Sequence, residues 1–74
     1  MPGISKDQID DIFSYHAPEP GQPEKYEAIR AGAKAFAQVL IANTPQCPDQ
    51  TVAVRHLRDC VMQANAAIAL KGQF

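Results

Sequence analysis

The sequence predicts an all-α protein, made of a short N-terminal helix followed by a long antiparallel helical hairpin. Two observations predict it. Apolar residues recur at spacings of three and four along two stretches of about 20 residues each. Prolines separate these stretches from each other and from a shorter helical stretch before them. The whole chain, 1–74, is expected to form a single helical domain.

The first, short helix is expected within residues 1–16. Ser5 and Gln8 have the spacing of a capping box, in which side chains and backbone of the first turn exchange hydrogen bonds. Two isoleucines and Phe13 then share one apolar face, so Phe13 is expected to pack in the core. Three prolines and a glycine follow between residues 18 and 23, and they predict a stiff, extended connector over 17–22.

The second helix is expected over 23–43, with Pro23 at a first helical position that suits proline. Its apolar residues form a heptad-like seam along one side of the helix. The seam consists of Tyr26, Ile29, Ala33, Phe36 and Leu40. A further proline in the segment Asn43-Thr44-Pro45 ends the helix, and residues 44–48 form a loop.

The third helix is expected over 49–71, with Asp49 as its N-cap. The pair Lys71-Gly72 closes it, because a cation and then a glycine favour a helix C-terminus. Its seam consists of Val54, Leu57, Val61, Ala64 and Ile68. Two long helices joined by a short loop predict an antiparallel hairpin.

The composition predicts that the chain assembles with copies of itself. Hydrophobic residues make up 46% of the 74 residues, but many are alanines and there is no tryptophan. Such a core barely offsets the conformational entropy of about 1.5 kcal/mol per ordered residue. Small proteins in this position rely on disulfides, a metal or partner subunits. Two cysteines make no disulfide framework, so we expect a homo-oligomer; a partner of different sequence is the alternative.

The charge and the cysteine content limit the partners and the compartment. The net charge of −1 provides no broad basic face, so neither DNA nor RNA polymers are expected to bind. No apolar run approaches the roughly 18 residues that span a bilayer, so no membrane association is expected. The polar start of the chain lacks a signal-peptide pattern, and we expect an intracellular protein with reduced thiols.

His56 and Cys60 are the strongest candidates for a metal site or a nucleophile pair, because four residues separate them on one helix. A tetrahedral metal site would need further ligands, such as Cys47 and His16 brought close in space. Cys60 lies in an apolar row, where cysteine behaves as a small hydrophobe. We therefore expect no metal, no cofactor and no catalytic residue.

Two pairs of residues predict an anion-binding site instead. Tyr15 and His16 fall off the apolar face of the first helix, where an aromatic ring can stack on a nucleobase. Arg30 and Lys34 form a cationic pair on the second helix and suit phosphate oxygens. The alternative is an ordinary solvated surface, with Arg30 paired to Glu27.

Three segments of the chain together form a recognisable pattern. They are Phe13-x-Tyr15-His16-x-Pro18, then Lys25-Tyr26-x-x-Ile29-Arg30-x-x-Ala33-Lys34, and last Val61-Met62-x-Ala64-Asn65-Ala66-x-Ile68-Ala69. This pattern resembles the phage anti-CBASS cyclic-nucleotide sponges, which share a helical-hairpin domain with the Thoeris anti-defence sponges. The resemblance covers roughly residues 12–71. Two features depart from the pattern: Gln63 replaces an aromatic residue, and residues 49–51 lack a Ser-x-Glu sequence.

The resemblance implies a non-enzymatic protein of the infected host's cytoplasm, which forms a hexamer and sequesters cyclic dinucleotides, and in some members cyclic trinucleotides. It implies that the dinucleotide pocket lies between chains, where Tyr15 stacks on a base and Arg30 holds phosphate. His16, Lys34 and Phe13 are further candidates for this pocket. Lys71 is the candidate for a separate trinucleotide pocket.

Two alternatives remain at this stage. The chain can be a sponge for cyclic ADP-ribose isomers of Thoeris immunity, a class that shares the hairpin domain. It can also be an oligomeric helical adaptor that binds no small ligand. A panel of nucleotide ligands separates these alternatives.

Overall fold

A computed structural model describes residues 3–73, and in that range the chain is helical without any strand. Three helices follow in order: α1 (Lys6–Ile12), α2 (Gln22–Asn43) and α3 (Pro48–Ala69). The predicted all-α class is therefore confirmed. Met1 and Pro2, the first residues of the expected short helix, lie outside the described residues, as does Phe74.

Helix α1 begins as the sequence predicts and ends earlier than expected. The backbone N–H of Gln8 donates to Ser5 Oγ (3.1 Å), and the Ser5 N–H donates to Gln8 Oε1 (2.8 Å), which forms the capping box. The helix stops at Ile12 and does not continue to residue 16. The His16 ring contacts the Asp11 carbonyl at 2.7 Å and so occupies an acceptor that a continuing helix would use.

Helix α2 begins at Gln22, one residue before the expected start, and Gly21 precedes it with a left-handed φ of 86°. Phe36 was expected in the seam, but 52% of it is exposed. Ala37 is half-buried in its place. A helix with 3.6 residues per turn drifts relative to a strict heptad, so Ala37 is the next residue that comes into line. The half-buried row facing α3 consists of Tyr26, Ile29, Ala33, Ala37 and Leu40.

Helix α3 begins with Cys47 as its N-cap and Pro48 as its first helical residue. The expectation of Asp49 as N-cap is wrong, because proline at the first position places the cap one residue before it. Asp49 instead lies in the first turn, where its charge suits the helix dipole. All five predicted seam residues of α3 are half-buried.

The end of α3 is closed by residues in the left-handed region. Lys71 has a φ of 55° and Gly72 a φ of 76°. Their N–H groups donate to the carbonyls of Ile68 (3.2 Å) and Ala67 (3.0 Å), which is the bonding pattern of a Schellman motif. The regular helix ends at Ala69, two residues before the expected end, and Lys71 occupies the position where glycine is most common.

The two long helices pack against each other, and α1 reaches them only at its end. Ile12 is half-buried and lines a groove on the C-terminal part of α3, together with Gln63, Ala67 and Leu70. No helix among the described residues is both long and apolar enough to cross a membrane.

The chain leaves a large share of its apolar surface uncovered. Its radius of gyration is 15.7 Å, whereas a compact domain of this length has one of about 11 Å. It exposes 6058 Å², and a compact monomer of this mass exposes about 4,500 Å². Within residues 3–73 no hydrophobic side chain is buried. A single copy therefore lacks the closed core that usually stabilises a domain.

Candidate functional site

Tyr15 lies just beyond the end of α1 and is the most exposed large side chain of the segment, at 87%. Its neighbour His16 is half-buried and folds back onto α1. The ring of His16 donates through Nε2 to the Asp11 carbonyl oxygen, and the Asp11 carboxylate lies 3.7 Å away. These contacts hold the backbone beside Tyr15, and the tyrosine ring itself remains free to stack.

A cavity of about 420 Å³ lies beneath Tyr15, between the connector and the end of α3. We call it the tip cavity. Its lining includes Tyr15, His16, Glu19, Gln22, Ala69 and Lys71. The structure therefore places Lys71 next to Tyr15 and His16, although the sequence assigned it to a separate pocket.

Lys71 ties the end of α3 to the connector. Its Nζ lies 2.8 Å from Oε1 of Glu19. The Glu19 carboxylate raises the pKa of Lys71, first through this hydrogen bond and second through charge attraction. The pKa of Lys71 is therefore higher in the folded than in the unfolded chain. The ion pair contributes to stability at neutral pH, and this contribution is lost only as the pH rises through the pKa range of lysine side chains.

Gln22 is the residue of this region that the sequence did not identify. It is the one polar side chain that is buried among the described residues. Its Nε2 donates to the Ile68 carbonyl (3.1 Å), and its Oε1 accepts from the Glu19 N–H (2.9 Å). A glutamine between glycine and proline carries no signal for such a role, because its partner lies 46 residues away.

Arg30 and Lys34 lie on α2, along a groove between α2 and α3 of about 320 Å³. We call it the cationic groove. Arg30, Lys34 and Arg58 line its walls, and Val54, Leu57 and Val61 contribute to its floor. Arg30 also donates from Nη1 to Glu27 Oε2 at 2.9 Å, the pairing expected from their spacing. Both partners are exposed, so this ion pair contributes little to stability.

The predicted site residues therefore fall in two places. Tyr15, His16 and Lys71 line the tip cavity, whereas Arg30 and Lys34 line the cationic groove. No cavity described for the single chain contains members of both groups. In a single chain, Tyr15 therefore lines a different cavity from Arg30 and Lys34.

Phe13 was expected in the core, but 83% of it is exposed. The physical reason is that neither α2 nor α3 packs on this face of α1, since Ile9 on the same face is also exposed, at 47%. The Phe13 N–H still donates to the Ile9 carbonyl (3.1 Å), so the two residues keep their helical register. The Phe13 ring is therefore as available for contact as that of Tyr15.

The His56–Cys60 pair lies on the solvent side of α3, and both residues are exposed. The expectation that Cys60 packs in an apolar row is wrong for the single chain, because α2 covers only one face of α3. Cys47 is half-buried at the other end of the helix. In the part of the chain that the structure describes, no group of three His, Cys, Asp or Glu side chains is placed to hold a metal ion.

Comparison with known proteins adds one match. The sequence model of a family described as "Acb2/Tad1, hairpin domain" matches residues 5–69, which include all three helices. No curated protein and no solved structure matches the chain.

Proposed function

Because the chain belongs to the Acb2/Tad1 hairpin family, we propose that it sequesters cyclic oligonucleotide second messengers, cyclic dinucleotides such as cyclic GMP-AMP above all. Members of this family serve in general as phage anti-defence sponges, which bind cyclic nucleotide messengers and do not convert them. In the cytoplasm of an infected bacterium, removal of the messenger would keep a CBASS effector inactive.

One observation carries the proposal for how the ligand is held. The stacking ring and the phosphate-binding cations lie in two different cavities of one chain. A second copy, which places its Tyr15 over the Arg30 and Lys34 of the first, would complete the pocket. The surface that one copy leaves exposed supports such an assembly, and a hexamer is the form that we propose.

Within this pocket each residue type has a distinct task. Tyr15, and Phe13 beside it, would stack on a base, a contact worth about 1–3 kcal/mol. Arg30 presents a planar fork to phosphate oxygens and Lys34 a point charge. His16 would contribute a ring nitrogen at the rim.

Lys71 supports the proposal that the tip cavity binds a second kind of ligand. Its side chain is 58% exposed while it pairs with Glu19, and an ammonium group has three donors, so it can also bind a further anion. We propose this residue for a cyclic trinucleotide, whose larger ring carries three phosphates.

Sequestration requires affinity without turnover. Nanomolar capture corresponds to about −12 kcal/mol, which stacked bases and held phosphates approach only in a pre-formed pocket. Assembly would supply that rigidity, because each ring and each cation is then fixed by a neighbouring chain.

Isothermal titration with cyclic GMP-AMP and cyclic tri-AMP tests the function. We expect nanomolar to micromolar binding of the first and recovery of intact ligand after heat denaturation of the complex. Linear products would instead identify an enzyme. A heat of binding that is observed only with cyclic ADP-ribose isomers would favour a Thoeris sponge. No heat of binding with any of these ligands would favour an adaptor.

Arg30→Ala tests the assignment of the pocket. We expect at least a tenfold loss of cyclic GMP-AMP affinity, because a charge-assisted contact to phosphate is removed. Arg55→Ala is the control, since Arg55 is exposed on α3 and does not line the cationic groove. Equal affinities of the two variants would contradict the assignment.

A further inference from the structure

The cationic groove contains a positive charge that the sequence did not associate with the site. Arg58 lies on α3, on the wall opposite Arg30 and Lys34 of α2. Three of the chain's seven Lys and Arg side chains thus line one groove. No acidic residue lines it, although the chain has eight. In a protein of net charge −1, this is a local concentration of positive charge.

Arg58 is available to a ligand. It forms no ion pair within residues 3–73, where the pairs involve His16, Arg30 and Lys71. Arg30 already donates to Glu27, which competes with a bound phosphate for the same guanidinium. Arg58 and Lys34 have no such competitor among the described residues, so they offer their full donor sets.

The floor of the groove is almost entirely apolar. Leu57 and Val61 supply branched alkyl groups from α3, and Met62, a residue that is 58% exposed, adds a thioether. A small anion alone would fit such a floor poorly, because it would lose bound water there and the alkyl groups offer no hydrogen bonds in exchange. The groove fits a molecule that has both a flat, weakly hydrated body and negative groups at its edges. Its volume of about 320 Å³ lies within the range of small-molecule sites, about 300–1,000 Å³.

From these observations we infer that Arg58 is a third phosphate-binding residue, and that the cationic groove holds one nucleotide unit between its two walls. The base lies over Leu57, Val61 and Met62, and the phosphates contact Arg58 on one side and Arg30 with Lys34 on the other. This inference rests on the proposed capture of cyclic nucleotides and specifies how α3 takes part in it.

A cyclic nucleotide, and not a second copy of the chain, is the occupant that this inference assigns to the groove. A cyclic dinucleotide carries two phosphates on a scaffold whose base faces match the floor, so one molecule satisfies both the apolar floor and the cations of the two walls. A second copy would cover the floor, and the carboxylates of Asp7, Asp10 and Asp11 on its α1 could reach the cations. The mass of the assembly, measured below, distinguishes the two occupants.

The experiment compares Arg58→Ala, Arg58→Lys and the matched control Arg55→Ala, which removes the same charge three residues earlier on α3. Cyclic GMP-AMP is titrated into each protein, and light scattering measures the mass of the assembly. We expect Arg58→Ala to weaken binding about tenfold, Arg58→Lys to recover part of the loss, and Arg55→Ala to stay within about twofold of the original protein. The salt dependence of binding should also decrease in Arg58→Ala.

The outcomes separate this inference from the proposed function. If the unmodified protein binds no cyclic nucleotide, the proposed function fails and Arg58 loses its ligand with it. If it binds and the Arg58→Ala and Arg55→Ala variants behave alike, only the inference about Arg58 is overturned. A smaller assembly in Arg58→Ala would assign the groove to contact between copies and would also overturn it.

Discussion

Single side chains set the charge around the proposed pocket, and Glu27 illustrates how neighbouring groups oppose each other. Its carboxylate pairs with Arg30 at 2.9 Å. The pair orders the guanidinium, but it also places a negative charge next to the position proposed for phosphate. An exposed ion pair of this kind, which orders the Arg30 side chain, contributes about 0.3–0.5 kcal/mol of free energy. Repulsion between unit charges about 7 Å apart ranges from about 0.6 kcal/mol in bulk water to about 2.4 kcal/mol at an effective dielectric constant of 20. The repulsion is the larger effect.

Glu27→Gln should therefore tighten the binding of cyclic GMP-AMP by about threefold to tenfold at low salt, and less at high salt. Titration calorimetry at two salt concentrations measures this. Asp49→Asn is the control, because it removes a carboxylate at the opposite end of the hairpin. Weaker binding by Glu27→Gln would mean that the ordering of Arg30 dominates.

Gln22 acts at the same scale through hydrogen bonds. Gln22→Ala removes the hydrogen bonds to the Glu19 N–H and to the Ile68 carbonyl, which should cost about 1–3 kcal/mol because each bond contributes about 0.5–1.5 kcal/mol. Urea unfolding measures the loss. Gln38→Ala, at an exposed position of α2, is the control and should change stability by less than about 0.5 kcal/mol.

At the scale of the helices, the C-terminus of α3 combines two opposing effects at Lys71. The residue adopts a left-handed φ of 55°, which is unfavourable for any side chain with a Cβ. Its ammonium group meanwhile pairs with Glu19 and joins α3 to the connector. Lys71 thus combines an unfavourable backbone conformation with an ion pair, and its positive charge lies at the tip cavity.

Comparison of Lys71→Gly with Lys71→Ala separates the two effects. Both variants lose the ion pair, but only alanine keeps the unfavourable backbone conformation. Lys71→Gly should be more stable than Lys71→Ala by about 1 kcal/mol. Thermal unfolding of both variants measures the difference. Equal stabilities would mean that the end of the helix unwinds in solution.

At the scale of the whole molecule, the uncovered apolar surface is the dominant feature. The chain exposes roughly 1,500 Å² more than a compact monomer of its mass. A standard protein interface buries about 800 Å² on each partner, so the excess on one copy corresponds to about two such interfaces. The exposed large side chains near the loop of the hairpin are Phe36, Val39, Ile41 and Val52.

Phe36→Asp should reduce the mass of the assembly, because burial of a phenylalanine contributes about 1.5–3 kcal/mol at each contact. Light scattering over a range of protein concentrations measures the mass. The control Gln38→Glu adds the same charge two residues further along α2 and should leave the assembly unchanged. A protein that is monomeric and stably folded before any substitution would contradict the proposed shared pocket.

Periodicity in the sequence determined the helical class, the seam of α3 and the capping box of α1, because these features depend on spacings within a few residues. Such spacings also suggested the pairing of Arg30 with Glu27. They did not determine where helices end: α1 stops at Ile12, and the His16 ring contacts the Asp11 carbonyl there, a contact that no apolar pattern encodes.

Only the tertiary structure decided which residues lie together. It paired Lys71 with Glu19 in the cavity that Tyr15 also lines, buried Gln22 against Ile68, and placed Arg58 in the same groove as Arg30. The physical reason is that these contacts connect residues far apart in the chain, and their geometry depends on how α2 and α3 pack. A linear sequence specifies each helix face by itself, whereas the pairing of the faces fixes where charges from different helices meet.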